Sequence, residues 1–158
     1  MTKKYLITVG TFGFLSIVFG AVMSQVLSGK LTAEHQSQYS VGIQFMMFHT
    51  MALLGFAFAH KIVSQRYLDV VYGFFVAGII LFSFGMMIQA TSEWTDLSLG
   101  FMSFIIPLGV LSFLIGWGYI AWMGLSGKYK RSSSHSKSSS RRRRSSHSKI
   151  EDDNSYDF

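Results

Sequence analysis

His49 is the residue most able to do chemistry in this chain. It stands in the stretch Phe48-His49-Thr50-Met51-Ala52-Leu53-Leu54-Gly55, inside an apolar run from Val41 to Val63 that also holds Gln44. The run is long enough to span a bilayer. An ionisable group at that depth is costly against lipid, so it turns toward protein and marks a candidate site. A histidine there admits two readings. It is a haem or metal ligand or a proton carrier, or it is a neutral ring hydrogen-bonded to a facing helix. The facing candidates are Ser83, Ser112 and a backbone carbonyl released by Pro107.

His60 follows eleven residues later. On one helix the two imidazoles stand roughly 16 Å apart along a shared face, too far to converge on one iron. A bis-histidine haem within one chain is therefore excluded, and two ligands need two chains. Gln44 and Gln89, with Gln25, lie toward the ends of their helices on the non-cytoplasmic side and read either as a polar vestibule for a small solute or as amides near the interface that are solvated or paired between helices. No span holds a pair of carboxylates for acid–base work. No phosphate-binding glycine loop or Ser-His-Asp pattern stands in a plausible setting. There is no cysteine, which removes disulfides, thiolate metal sites and a cysteine nucleophile. The residues call for no catalytic group, no metal and no cofactor, and the chain is not expected to be an enzyme.

Four long apolar segments must position these side chains. The pattern predicts helices over about 5–27, 41–63, 68–90 and 99–125. Twenty-three helical residues reach roughly 34 Å, against about 30 Å of hydrocarbon. Small residues mark faces for close helix approach: Ser16, Gly20 and Ser24 in the first segment, Gly73 and Ala77 in the third, and Ser112 and Gly116 in the fourth. Gly78 and Gly85 thin the third segment further. Asp69 opens that segment, where a carboxylate suits a helix N-terminus. Pro107 predicts a kink in the fourth, because it crowds the Ser103 carbonyl and lacks an N–H. Residues 28–40 read as a polar loop with a short interfacial helix from Thr32. Trp94 and Trp122 fall at opposite interfaces.

Charge orders the topology. Residues 1–127 carry five Lys/Arg and four acids, and residues 128–158 carry nine and four, so most of the net charge of +6 belongs to the tail. Lys3, Lys4, Lys61, Arg66 and the tail share one side of a four-span arrangement, with Lys30 alone on the other. The positive-inside rule then places both termini in the cytoplasm, in agreement with an even number of spans. In a bacterium this is the cell or inner membrane.

The tail, 128–158, is rich in Ser, Arg, Lys and His and cannot bury enough apolar area to order itself, so disorder is expected. Its cations, among them Lys128, Lys130, Arg131 and Arg141, Arg142, Arg143 and Arg144, suit anionic lipid headgroups beside the membrane. No aromatic interleaves the basic run, so specific nucleic-acid binding is not expected.

Several motifs in order carry a likeness. Gly20-Ala21, the stretch from Phe48 to Gly55, Leu81-Phe82-Ser83, Pro107-Leu108-Gly109 and the stretch from Ser112 to Trp117 together resemble the YgdD/YwdK-like family of small, uncharacterised four-span membrane proteins. The likeness covers about residues 5–125. It implies an integral membrane protein and no particular activity.

The sequence thus predicts an all-α, four-helix membrane bundle over 1–127 followed by a disordered basic tail over 128–158. The function expected is that of a non-catalytic membrane subunit or scaffold. Its partners are the bilayer and, through helix packing, a second copy or another membrane protein. The alternative is an oligomeric conductor or transporter using Gln44, His49 and Gln89.

Overall fold

The computed structural model describes residues 2–59, 62–92 and 100–127. Among them four helices are long and apolar enough to cross a membrane: Lys3–Leu27, Ala33–Ala59, Gln65–Ala90 and Met102–Ser126. The architecture is all-α, an antiparallel four-helix bundle. His60, Lys61, Glu93, Trp94, Asp96 and the whole tail from Lys128 lie outside the described residues.

The helix boundaries depart from the sequence pattern at identifiable points. The second helix starts at Ala33, eight residues before the apolar run, so most of the expected loop is helical. Thr32 explains the early start. Its hydroxyl accepts the His35 backbone N–H at 3.3 Å and lies 2.7 Å from His35 Nδ1, which caps the first turn. Glu34 sits in that turn, where its charge meets the positive end of the helix dipole. The same helix stops at Ala59, and the third begins at Gln65. The fourth continues through Pro107 and ends at Gly127, whose φ of 61° is a left-handed cap that glycine adopts without strain.

Two helices widen locally to π geometry. Met23–Leu27 closes the first helix, with Ser28 N–H bonding back five residues to the Met23 carbonyl at 2.9 Å. Ile79–Phe84 interrupts the third. Such wide turns inside a helix often accompany sites of function or close packing.

The second and third helices form the centre. Tyr39, Gly42, Met46, His49, Thr50, Leu53 and Ala57 make a buried stripe on the second at spacings of three and four. Leu68, Val71, Phe75, Ile79 and Phe82 make the matching face of the third. The first helix lies against the second, and the fourth against the third. Among the described residues the backbones of the first and fourth do not approach one another.

Small residues set these distances, though not all those the pattern singled out. A Cβ on Gly109 would fall 2.5 Å from the Phe82 backbone nitrogen, and one on Gly42 would fall 2.8 Å from the Ser83 carbonyl oxygen. Gly78 lies against the Phe113 ring and Gly116 against the Phe75 ring, at 2.4 and 2.5 Å by the same measure. Gly20 and Gly73 face open space instead, and Ser24 is exposed. Ser16 is buried as expected, but Gly20 and Ser24 on the first helix and Gly73 at the start of the third make no close contact with the bundle.

Candidate functional site

His49 occupies the middle of the core, with 2% of its surface exposed. Its position in the buried stripe of the second helix turns the ring toward the third and fourth. The ring stacks on Phe113, centroids 3.6 Å apart and planes 13° apart, and meets the edge of Phe75 at 5.1 Å. Trp117 Nε1 donates to His49 Nε2 at 3.2 Å, and His49 Nδ1 lies 2.8 Å from the Phe45 carbonyl oxygen.

These partners determine the tautomer. An indole N–H only donates, so Nε2 is the unprotonated acceptor. A carbonyl only accepts, so Nδ1 carries the proton. The imidazole is neutral and both nitrogens are engaged within the chain. No lone pair is left for a metal or haem iron while Trp117 holds this position.

The partners are not those the sequence nominated. Ser112 Oγ donates instead to the Phe74 carbonyl at 2.8 Å, tying the fourth helix to the third. Ser83 is fully buried in the π-helical stretch, and its hydroxyl has no hydrogen-bond partner. The Thr50 hydroxyl, 4% exposed, has none either. Trp117 was the residue that the polarity search missed. A tryptophan well inside a span, away from the interfacial belt, needs an acceptor for its indole N–H, and that need was its signal.

The second and fourth helices diverge beside this ring and leave a groove of about 640 Å³, lined by Gln44, Phe45, Phe48 and His49 on one wall and by Phe113 and Trp117 among others on the second. Gln44 and His49 thus meet in one groove. Gln89 does not line it. It lies fourteen residues along the third helix from Phe75, roughly 21 Å from the level of His49.

A second polar cluster sits at the bundle end where the first helix begins. Asp69 Oδ1 pairs with Lys4 Nζ and accepts from Tyr5 Oη at 3.0 Å and Gln65 Nε2 at 3.0 Å. Gln65 Nε2 also lies 3.1 Å from Tyr5 Oη. Thr8 Oγ1 and Tyr72 Oη are 2.7 Å apart, and Tyr5 packs edge-on against Tyr72 at 4.9 Å. Because the third helix starts four residues before Asp69, that carboxylate does not serve the helix end. It receives the first helix instead.

Comparison with known proteins follows the same outline. The model of a family described as protein of unknown function (DUF423) matches residues 19–110. A UPF0382 membrane protein of Haemophilus influenzae is 31% identical over 122 residues, covering 77% of this chain and 94% of that protein. The UPF0382 inner membrane protein YgdD of Escherichia coli K12 is 32% identical over 122 residues, 74% of this chain and 86% of that protein. The UPF0382 membrane protein YwdK of Bacillus subtilis is 27% identical over 116 residues, 73% and 90% respectively. No solved structure matches the chain.

Proposed function

We propose that this chain, which belongs to the DUF423 family of membrane proteins, works as a non-catalytic subunit or scaffold whose surface packs against other membrane helices. The observation that carries the reading is the closed hydrogen bonding of His49. A ring that held a metal or haem iron would leave one nitrogen open to it. Here Trp117 and Phe45 take both, and Phe113 covers a ring face. The His49–Trp117 and Ser112–Phe74 hydrogen bonds join helices.

The competing reading is an oligomeric conductor. Gln44 and His49 share a groove, which favours it, but Gln89 lies apart and aromatic rings pack the interval. Solute flux into liposomes decides between them. Flux with the wild type equal to that of empty liposomes, and unchanged in His49→Leu, supports the packing role. Flux above that background and lost in His49→Leu would overturn it. An absorption spectrum with native mass spectrometry of the same sample tests the ligand reading. A Soret band or a bound cofactor mass would return His49 to the role of ligand.

The charge rule further proposes that both termini face the cytoplasm, where the basic tail meets anionic headgroups. Reporters fused at Met1 and after Phe158 should appear on one side. Opposite sides would defeat the four-span topology.

A further inference from the structure

Tyr39 carries a hydroxyl that the fold leaves without a hydrogen bond. The residue is 5% exposed, and its phenol has no partner among the described residues. It stands two residues before the apolar run that begins at Val41, at the bundle end opposite Lys4 and Asp69. Beside it is a cavity of about 310 Å³ between the end of the first helix, the start of the second and the end of the third. An unpaired donor in apolar surroundings is unfavourable, so an occupant that brings an acceptor is favoured there.

The rest of the lining is apolar. Phe19 and Val22 form one wall, and Phe84 and Met87 form the other. Thr91 also borders the cavity, but its hydroxyl is turned to the Met87 and Ile88 carbonyls at 3.2 and 3.0 Å. Among the described residues the backbones of the first helix and the end of the third do not approach one another, and the Phe19 and Phe84 rings, edge-on with centroids 5.7 Å apart, bridge them. The cavity lies between that ring contact and the membrane surface, and Phe84 to Thr91 spans roughly 10 Å of helix. We infer that it holds one acyl chain of a phospholipid from the adjoining leaflet, with Tyr39 donating a hydrogen bond to the ester carbonyl at the head of that chain.

The chemistry of the lining selects the occupant. A buried water needs several polar partners, and Tyr39 offers one amid hydrocarbon walls. A phospholipid places an ester carbonyl, which accepts, at the boundary between headgroup and hydrocarbon, and Tyr39 stands at that boundary. Beyond the carbonyl the chain is apolar, as are Phe19, Val22, Phe84 and Met87, and its contact with them replaces a void with dispersion. Such a lipid is already the solvent of this surface. The first helix is then held to the third by polar side chains at one end and by a shared lipid at the other. The site does not depend on the packing role proposed above.

Native mass spectrometry tests the site on the full-length protein, delipidated in detergent and titrated with a diester phosphatidylglycerol or its diether analogue of equal chain length. The diether lacks the carbonyl. Wild type should retain one diester lipid about three- to twenty-fold more tightly than the diether, the range of a single hydrogen bond within a membrane. Tyr39→Phe keeps the ring, and it should bind both lipids alike at the weaker level. Val22→Trp should fill the cavity and lose the retained lipid, whereas Ile17→Trp, at a position 71% exposed, should keep it. No preference for the diester in the wild type, the result expected if water meets the phenol, would overturn the site. So would a preference that survives Tyr39→Phe, or a lipid-free dimer, which would put a second copy in the cavity.

Discussion

The first helix and the other three are held by different physics. The second, third and fourth meet through glycine: Gly42, Gly78, Gly109 and Gly116 each bring backbone or ring to a distance that no added methyl would tolerate. Lipid tails are as apolar as leucine, so burial gives little drive for helices to associate inside a membrane, and close contact must supply it. The first helix has no such contacts at Gly10, Gly13 or Gly20. It lies on the second helix and reaches the third through long side chains, chiefly at Lys4, Tyr5 and Thr8. Glycine contacts bring the second, third and fourth helices together, whereas the first rests on the core through larger side chains such as Phe12, Leu15 and Phe19, with a polar anchor at one end.

The sharpest way to break this comparison is Gly109→Ala. The new methyl would meet the Phe82 backbone, which cannot rotate away, so a loss of about 1–3 kcal/mol is expected in a reversible unfolding measurement in micelles. A neutral result would mean that the helices are not as close as the packing implies. Next in size is the His49–Trp117 bond. A double-mutant cycle with His49→Leu and Trp117→Phe should give a coupling of about 0.6–1.7 kcal/mol, since interhelical hydrogen bonds in membranes fall in that range. Zero coupling would make the pair incidental to the ring stacking around it.

Smaller still is the anchor of the first helix. Lys4 and Asp69 are 43% and 37% exposed, so water and salt screen the pair. Asp69→Asn should cost about 0–1 kcal/mol, and the difference from wild type should shrink at high ionic strength. A larger, salt-independent loss would give the polar cluster the weight assigned here to the glycine contacts. The smallest effect is expected from Gly20→Ala, within about 0.5 kcal/mol of wild type, because its Cβ enters open space. A loss matching that of Gly109→Ala would erase the distinction between the two regions.

Local pattern accounts for much of this architecture. Segment length and hydropathy identify four spans, and the ordered motifs identify the family, because both are properties of the chain in one dimension. The pattern also selected His49 as the polar residue at the centre, and Ser112 and Gly116 as a contact face, which pairs with Phe74 and Phe75. On the first helix it was right at Ser16, which is buried, and misjudged Gly20 and Ser24, since any membrane helix with several small residues presents such spacings. Which of them meets a neighbour depends on how the helices are arranged around one another.

The sequence alone determined that this chain is a helical membrane protein, since about 30 Å of hydrocarbon admits few other uses for such runs. The tertiary structure decided what the polar residues do. Trp117 lies 68 residues from His49 and Asp69 lies 65 from Lys4, and no local period relates either pair. The tautomer of His49 and the burial of Ser83 follow from which helix faces which. That choice is made by close contacts between backbones, a property of pairs of helices and of no single segment.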